Sequence, residues 1–422
     1  MDLPVDGTRL RADIEANAAF GRVAYDDPTK RGRTNRTGSE ANRAARDRLV
    51  ERLEDAGLDV VVDAVGNLLG TWTPASADPD AAPVVSGSHL DSVPEGGIFD
   101  GPLGVYAALE AVRAMRDAGV EPDRPIAVVS FTEEEGGTFG NGLLGSTVAT
   151  GALDETDALE VTDADGETLG EALERIGYRG DADIDPTEWE AFYELHVEQD
   201  TVLAEAGAAA GIVTTITGIT HCEATIEGEA NHAGATAMGD RTDALAAASE
   251  FVLDVEAAAN GVVETTSESA VGTVGSLSIS PNATNVVPGR VEAGIDVRDI
   301  DAESIETIVG ATRESLDRLE RDRGVETAFE RPFDVAPTPM SDRLRTAAHD
   351  AAEDAGRTAI DLHSGAAHDA MRVARVTDAS LLFAPSRDGI SHNPREWTDW
   401  KDCAAATAVL AGALVRIASD DQ

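Results

Sequence analysis

Six residues able to bind a divalent metal or move a proton fall in short polar stretches at the ends of apolar runs: His89, Asp100, Glu134, Glu135, His196 and His392. Gly87-Ser88-His89-Leu90-Asp91-Ser92 follows the apolar residues 82–86, and Gly96-Gly97-Ile98-Phe99-Asp100-Gly101 leads into a helix-like segment, 105–112. Thr132-Glu133-Glu134-Glu135-Gly136-Gly137 follows the apolar 126–131. His196-Val197-Glu198-Gln199 follows 191–195, and Ser391-His392-Asn393-Pro394 comes after 379–385. Imidazole and carboxylate without thiol suit zinc or a similar divalent ion. In the acidic run, one carboxylate can bind metal while its neighbour acts as a general base. Taken singly, each stretch is equally a solvated turn in an acidic protein. In a parallel sheet, however, the carboxyl ends of strands share one edge. Four strand ends carrying this set fit two ions roughly 3.5–4 Å apart, bridged by one carboxylate and a water.

The elements that must do the positioning alternate. Apolar runs of strand length are separated by segments of helical period, which predicts an α/β fold with a mostly parallel sheet. Helices are expected over 8–24, 38–56, 341–356 and 397–417, and a hairpin over 58–63 and 68–72. Residues 362–370 read as a loop entering a helix. From about residue 212 small residues, Thr and Gly dominate. Strands at 223–229, 271–279 and 290–298, with helices at 241–259 and 301–322, give a ferredoxin-like α+β order. The expected division is a metal-binding catalytic domain, 1–212 and 331–422, with an inserted domain, 213–330.

The chain has 422 residues, 42% of them hydrophobic, enough for two globular domains. No apolar run reaches membrane-spanning length, and the first residues carry no basic flank or apolar signal core. The expectation is a cytoplasmic protein with no membrane partner. Cys222 and Cys403 form no disulfide framework and no CxxC pair. The 79 acidic residues against 33 Lys and Arg give a formal net charge of −46, and Lys30 and Lys401 are the only lysines. That field repels phosphate, so nucleic acid is excluded as a partner. Acid spread along the whole chain suits a hydrated surface adapted to concentrated salt, a halophilic pattern.

The motifs Gly87–Ser92, Gly96–Gly101, Glu134-Glu135-Gly136, Glu194–Gln199, Asn231-His232-Ala233-Gly234 and Ser391–Pro394 together resemble the M20-type metallohydrolases. The branch they resemble holds the N-carbamoyl-L-amino acid hydrolases, β-ureidopropionases and allantoate amidohydrolases, and the resemblance covers nearly the whole chain. It implies a catalytic domain of zinc-exopeptidase type with an inserted ferredoxin-like dimerisation (lid) domain. It implies two divalent ions, zinc foremost, with manganese, cobalt or nickel as alternatives. Asp100 would bridge them, and His89, His196, Glu135 and His392 would complete the two sides. Glu134 would be the general base, with Asp91 orienting His89. His232, Asn285, Arg298, Gln199 and His368 would bind a small ureido or carbamoyl acid, Arg298 through a fork on its carboxylate. His232 would also stabilise the oxyanion. A homodimer is implied, its inserted domains pairing and delivering His232 to the partner's site. Ala367 stands where the family has Gly, and Gly137-Thr138-Phe139 where it often has Ser-Arg-Phe. The rival readings are a peptidase or aminoacylase of the same superfamily and a non-catalytic binding protein.

Overall fold

The computed structural model describes residues 3–140 and 142–419. Two compact units emerge: Met1–Thr214 with Pro339–Leu362 and Ala367–Gln422, and Thr215–Thr338 with His363–Ala366.

In the first unit four parallel strands stand side by side in the order Ile126–Phe131, Val84–His89, Ala191–Val197, Ala379–Ala384. Every residue of the four is buried. Helices cover such strands on both faces, so their sequences do not alternate; Ile126–Phe131 and Ala379–Ala384 are almost wholly apolar, while Val84–His89 and Ala191–Val197 also bury Ser86, Ser88, His89, Glu194 and His196. The hairpin strands Asp59–Val62 and Leu68–Trp72 extend one side antiparallel, and Ala210–Ile216 pairs antiparallel on the other. The Pro102–Ala118 helix connects two of the parallel strands. Proline at its first position costs no hydrogen bond, and Gly119 ends it in the left-handed region.

The second unit is a four-stranded antiparallel sheet in the order Glu326–Val335, Gly218–Glu227, Arg290–Asp299, Val271–Ser280. The long helices Ala244–Thr265 and Ala302–Arg323 supply the rest of its core. Cys222, Ala224 and Ile226 alternate inward and pack with Val291, Ile295, Phe251 and Ile308, while His221, Glu223 and Glu227 point out. Period-two alternation of this kind marks a sheet with one dry face.

Several expectations need correction. The first strand does not stop at residue 86 but runs through His89, because its ladder continues to the His89–Phe131 pair. His196 lies inside its strand, opposite Phe383. Residues 362–364 belong to a strand, Ala359–Ser364, that pairs with Ala210–Ile216. Its pattern is only half buried, so the apolar signal is weak. The first helix ends at Asn17, not 24. The second unit closes at Thr338 rather than 330, because Glu326–Val335 is its edge strand, and it opens at Thr215 rather than 213. No helix among the described residues is long and apolar enough to cross a membrane.

A net charge of −46 makes this fold a self-repelling object in dilute buffer. At ~1 M salt the screening length falls to ~3 Å and the repulsion collapses. The melting temperature should therefore rise from dilute buffer to molar salt. A flat or falling curve by differential scanning calorimetry would contradict the expectation of a salt-adapted surface.

Candidate metal centre

The parallel strands bring all six residues to their common carboxyl edge. Asp100 sits between two sets of donors. Its Oδ1 is 3.4 Å from His89 Nε2 and 3.2 Å from His196 Nε2. Its Oδ2 is 3.5 Å from His392 Nε2, which lies 3.1 Å from Glu135 Oε2. Two triads, His89–Asp100–His196 and Asp100–Glu135–His392, thus share one carboxylate, with the donor atoms of each triad within 4.8 Å of one another. Spacing left open which ligands pair. Strand adjacency places the two strand histidines on one oxygen and the two loop residues on the other.

These residues fit a pair of divalent ions. His89 Nε2 and Glu135 Oε1 are buried without a hydrogen-bond partner. A buried polar atom left so costs ~1–3 kcal/mol, which a cation bound at its lone pair removes. The donor set is imidazole and carboxylate, the chemistry that suits zinc and its neighbours. Burial disfavours a charged Asp100, yet His196 and His89 hold its carboxyl well below the usual range. Burial likewise opposes a proton on His89, but Glu134, Asp100, Asp91 and Glu135 outweigh it and raise the imidazole. The edge concentrates carboxylates, the charge that a divalent cation balances.

Glu134 differs from Glu135. Its Oε2 is 3.6 Å from His89 Nε2 and it belongs to neither triad. Burial lifts its carboxyl well above the usual range; Glu135, Asp369 and Asp100 add to this against the pull of His89. A buried carboxylate with raised basicity is the form a general base takes. Asp91 braces the acidic run, its carboxylate accepting the backbone N–H groups of Glu134 at 3.3 Å and Glu135 at 3.1 Å. Its Oδ1 is farther from His89 Nδ1, at 3.7 Å. Glu133, at φ 56°, turns the chain, and its Oε1 accepts from Thr138 and Phe139 at 2.5 and 2.6 Å. Three consecutive acids therefore occupy three different settings.

Of the expected substrate residues in this unit, Gln199 donates to Ser391 Oγ at 3.5 Å. His368 is buried, its ring edge-on to His196 at 4.6 Å between centroids. Burial and then the charge of His196 push its pKa well down, so its imidazole is neutral. Ala367 precedes it at the boundary between the units.

Three contributors escaped sequence reading. Arg33 is fully buried and donates to the carbonyls of Gly97, Leu90, Asp91 and Asp100, tying the stretches that carry His89 and Asp100 together. Nothing in its neighbourhood in sequence announces that. Glu396 accepts from the N–H groups of Phe99 and Asp100 at 2.9 and 3.1 Å. A Cβ on Gly97 would lie 2.1 Å from the Glu396 carboxyl, so only glycine fits there. Ser391 donates to Asp100 Oδ2 at 2.7 Å. The motif around His392 contained Ser391, and Glu396 lies two residues beyond it, but no spacing rule assigned either.

In the second unit, His232 pairs with Val286 where the short strands Asn231–His232 and Val286–Val287 run together, and beside them the Ala233 N–H donates to Asn285 O at 3.0 Å. The N–H groups of Gly234 and Ala235 both donate to His232 Nδ1, at 3.0 and 3.1 Å. That assigns the ring proton to Nε2, which is left as an exposed donor. Arg298 Nε and Nη2 grip Asp296 at 2.9 and 3.0 Å, and Nη1 reaches Gly365 O at 3.3 Å. One edge of its fork is thus already taken by its own chain. No hydrogen bond among the described residues joins Arg298 to His232 or Asn285.

The chain is 40% identical over 383 residues to an N-carbamoyl-L-amino acid amidohydrolase of Geobacillus stearothermophilus, covering 90% of this chain and 92% of that protein. It is 34% identical over 364 residues to an allantoate amidohydrolase of Bacillus subtilis, covering 86% and 87%. A crystal structure of an amidase of the hydantoinase/carbamoylase family from Burkholderia multivorans superposes with a TM-score of 0.91 at 36% identity, over 100% of both chains. Together with the profile of Peptidase family M20/M25/M40, which matches residues 85–416, these likenesses mean that the chain belongs to that family.

Proposed function

We propose that this protein is a metal-dependent amidohydrolase that cleaves the carbamoyl C–N bond of N-carbamoyl-L-amino acids or a closely related ureido acid. The observation that carries the reading is the single carboxylate of Asp100 facing two triads, with Glu134 beside them and outside both. The relatives support the ureido class: those at 40% and 34% identity are named for carbamoyl-amino-acid and allantoate hydrolysis. In this reading His89, Asp100 and His196 hold one ion, and Asp100, Glu135 and His392 the other. The bound ions supply Lewis acidity and lower the pKa of a water.

The chain's own residues do the rest. Glu134 takes a proton from the attacking water at its carboxylate and returns it to the leaving nitrogen. In the dimer this reading includes, His232 is delivered to the partner's site, where, with its proton on Nε2, it donates to the oxyanion that develops on the carbonyl. Neutral His368 and Gln199 bind the ureido group as polar, uncharged partners. One water and one N-carbamoyl amino acid give the amino acid, ammonia and carbon dioxide.

Activity against N-carbamoyl-L-amino acids, N-carbamoyl-β-alanine, allantoate and N-acetyl amino acids, measured in high salt, tests this. Turnover confined to the N-acetyl compounds would move the reading to an aminoacylase, and none on any of them would remove it.

Arg298 is assigned the substrate carboxylate through the guanidinium end that Asp296 leaves available. Its side chain is 35% exposed, so solvent weakens the contact. Arg298→Ala should cost roughly 2 kcal/mol, the low end for a paired charge, seen as a KM increase of about thirtyfold with kcat nearly kept. An unchanged KM for carbamoyl amino acids would contradict the assignment.

The reading includes a homodimer. The edge strand Val271–Ser280 exposes Val271 and Leu277, and the neighbouring helix exposes Leu253 and Val263. An unpaired, partly apolar edge suits pairing across a two-fold axis. Light scattering in molar salt should give twice the chain mass; a monomer would refute it.

A further inference from the structure

The two triads share Asp100 but are built differently. His89 and His196 sit on strands, and their side chains are 1% and 2% exposed. His392 sits on the loop after Ala379–Ala384, at φ 53°, with its side chain 51% exposed. That loop is closed at its base by the Arg387 N–H on Trp397 O at 2.8 Å. Farther along, the Arg31 N–H donates to Pro394 O at 2.6 Å, and next to His392 itself a side chain ties the loop to Asp100. Ser391 Oγ lies 2.7 Å from Asp100 Oδ2, the oxygen facing His392 and Glu135, and 3.2 Å from Glu396 Oε2. The hydroxyl has one proton, and the shorter contact gives it mainly to Asp100. Glu396, through its other oxygen, holds the backbone of Phe99 and Asp100. Gln199, assigned above to substrate, donates to the same hydroxyl.

We propose that Ser391, braced by Glu396, is a positioning residue that sets how firmly the ion between Asp100, Glu135 and His392 is held, and that this ion is the exchangeable one of the pair. The proposal rests on the metal reading given above. The physical reason is local. An ion held by a half-exposed side chain on a loop leaves when that loop swings out. The Ser391–Asp100 hydrogen bond opposes the swing. The other ion has no such exit, because its histidines are fixed by the sheet ladder. The link from Gln199 to Ser391 further implies that a substrate engaging Gln199 acts on the same fastening.

The test follows the loss of metal from zinc-loaded protein into a chelator, read as zinc released per chain over time. The wild type should release its ions in two phases, one per chain in each. His392→Ala should keep only the slow ion. Ser391→Ala should speed the fast phase roughly tenfold, the worth of a hydrogen bond to a charged group, and leave the slow phase unchanged. Ser391→Thr, which keeps the hydroxyl, should restore the wild-type rate. Release of both ions in a single phase from the wild type, or equal acceleration of both phases in Ser391→Ala, would overturn the proposal. A protein that takes up no zinc would overturn the metal reading itself, and this inference with it.

Discussion

Glu134→Gln should lower kcat by roughly 10³–10⁴-fold and leave the metal content of the protein unchanged. General-base catalysis is worth about 10²–10⁴ in rate, and a glutamine cannot accept the proton. The geometry separates this residue from its neighbour. Glu135 Oε2 stands 3.1 Å from His392 within a triad, whereas Glu134 faces His89 from outside both. Burial and three surrounding carboxylates raise the Glu134 carboxyl, so its basicity exceeds that of a surface glutamate. The backbone clamp of Asp91 on both residues is untouched by the substitution. The acidic run should therefore keep its shape, and the effect should be chemical. Metal analysis beside steady-state kinetics checks it. If the variant loses an ion, Glu134 is a ligand and the base lies elsewhere.

Asp100→Ala should remove both ions and all activity, while His196→Ala should retain at most one ion. Asp100 is the only residue common to the two triads. Its two oxygens face different partners, so no other side chain can substitute on either side. The fold should survive. Glu396 holds this turn through the backbone of Phe99 and Asp100, and Arg33 binds four of the surrounding carbonyls. Circular dichroism should thus match the wild type while metal analysis reads near zero. Full occupancy in Asp100→Ala would sink the bridging assignment. Loss of a single ion would show that the triads are independent.

Sequence by itself determined the class of the fold and the types of side chain at its edge. Strands buried on both faces lack alternation, and the apolar stretches at 82–86, 126–131, 191–195 and 379–385 marked the four, although the buried strands run on through polar residues to His89 and Val197. Each ends in polar residues, so the position of His89, Glu134, His196 and His392 beside a shared edge followed from chain order and the parallel rule. The alternation of the second unit was legible for the same reason, because one face of its sheet is dry.

Tertiary structure alone decided three things. It decided pairing: His89 and His196 meet on Asp100 Oδ1 because their strands are neighbours, a fact carried by the ladder and not by either motif. It also decided which polar residues are structural. Arg33 and Glu396 lie far from Asp100 in the chain, and their roles depend on backbone groups that all residues share. Finally, it decided the state of the residues proposed for recognition. Arg298 is gripped by Asp296, and His232 is fixed in one tautomer by two N–H groups. A hydrogen bond to backbone leaves no mark on side-chain composition. Sequence therefore specified which chemistry could occur, and the packed chain specified which atoms face one another to perform it.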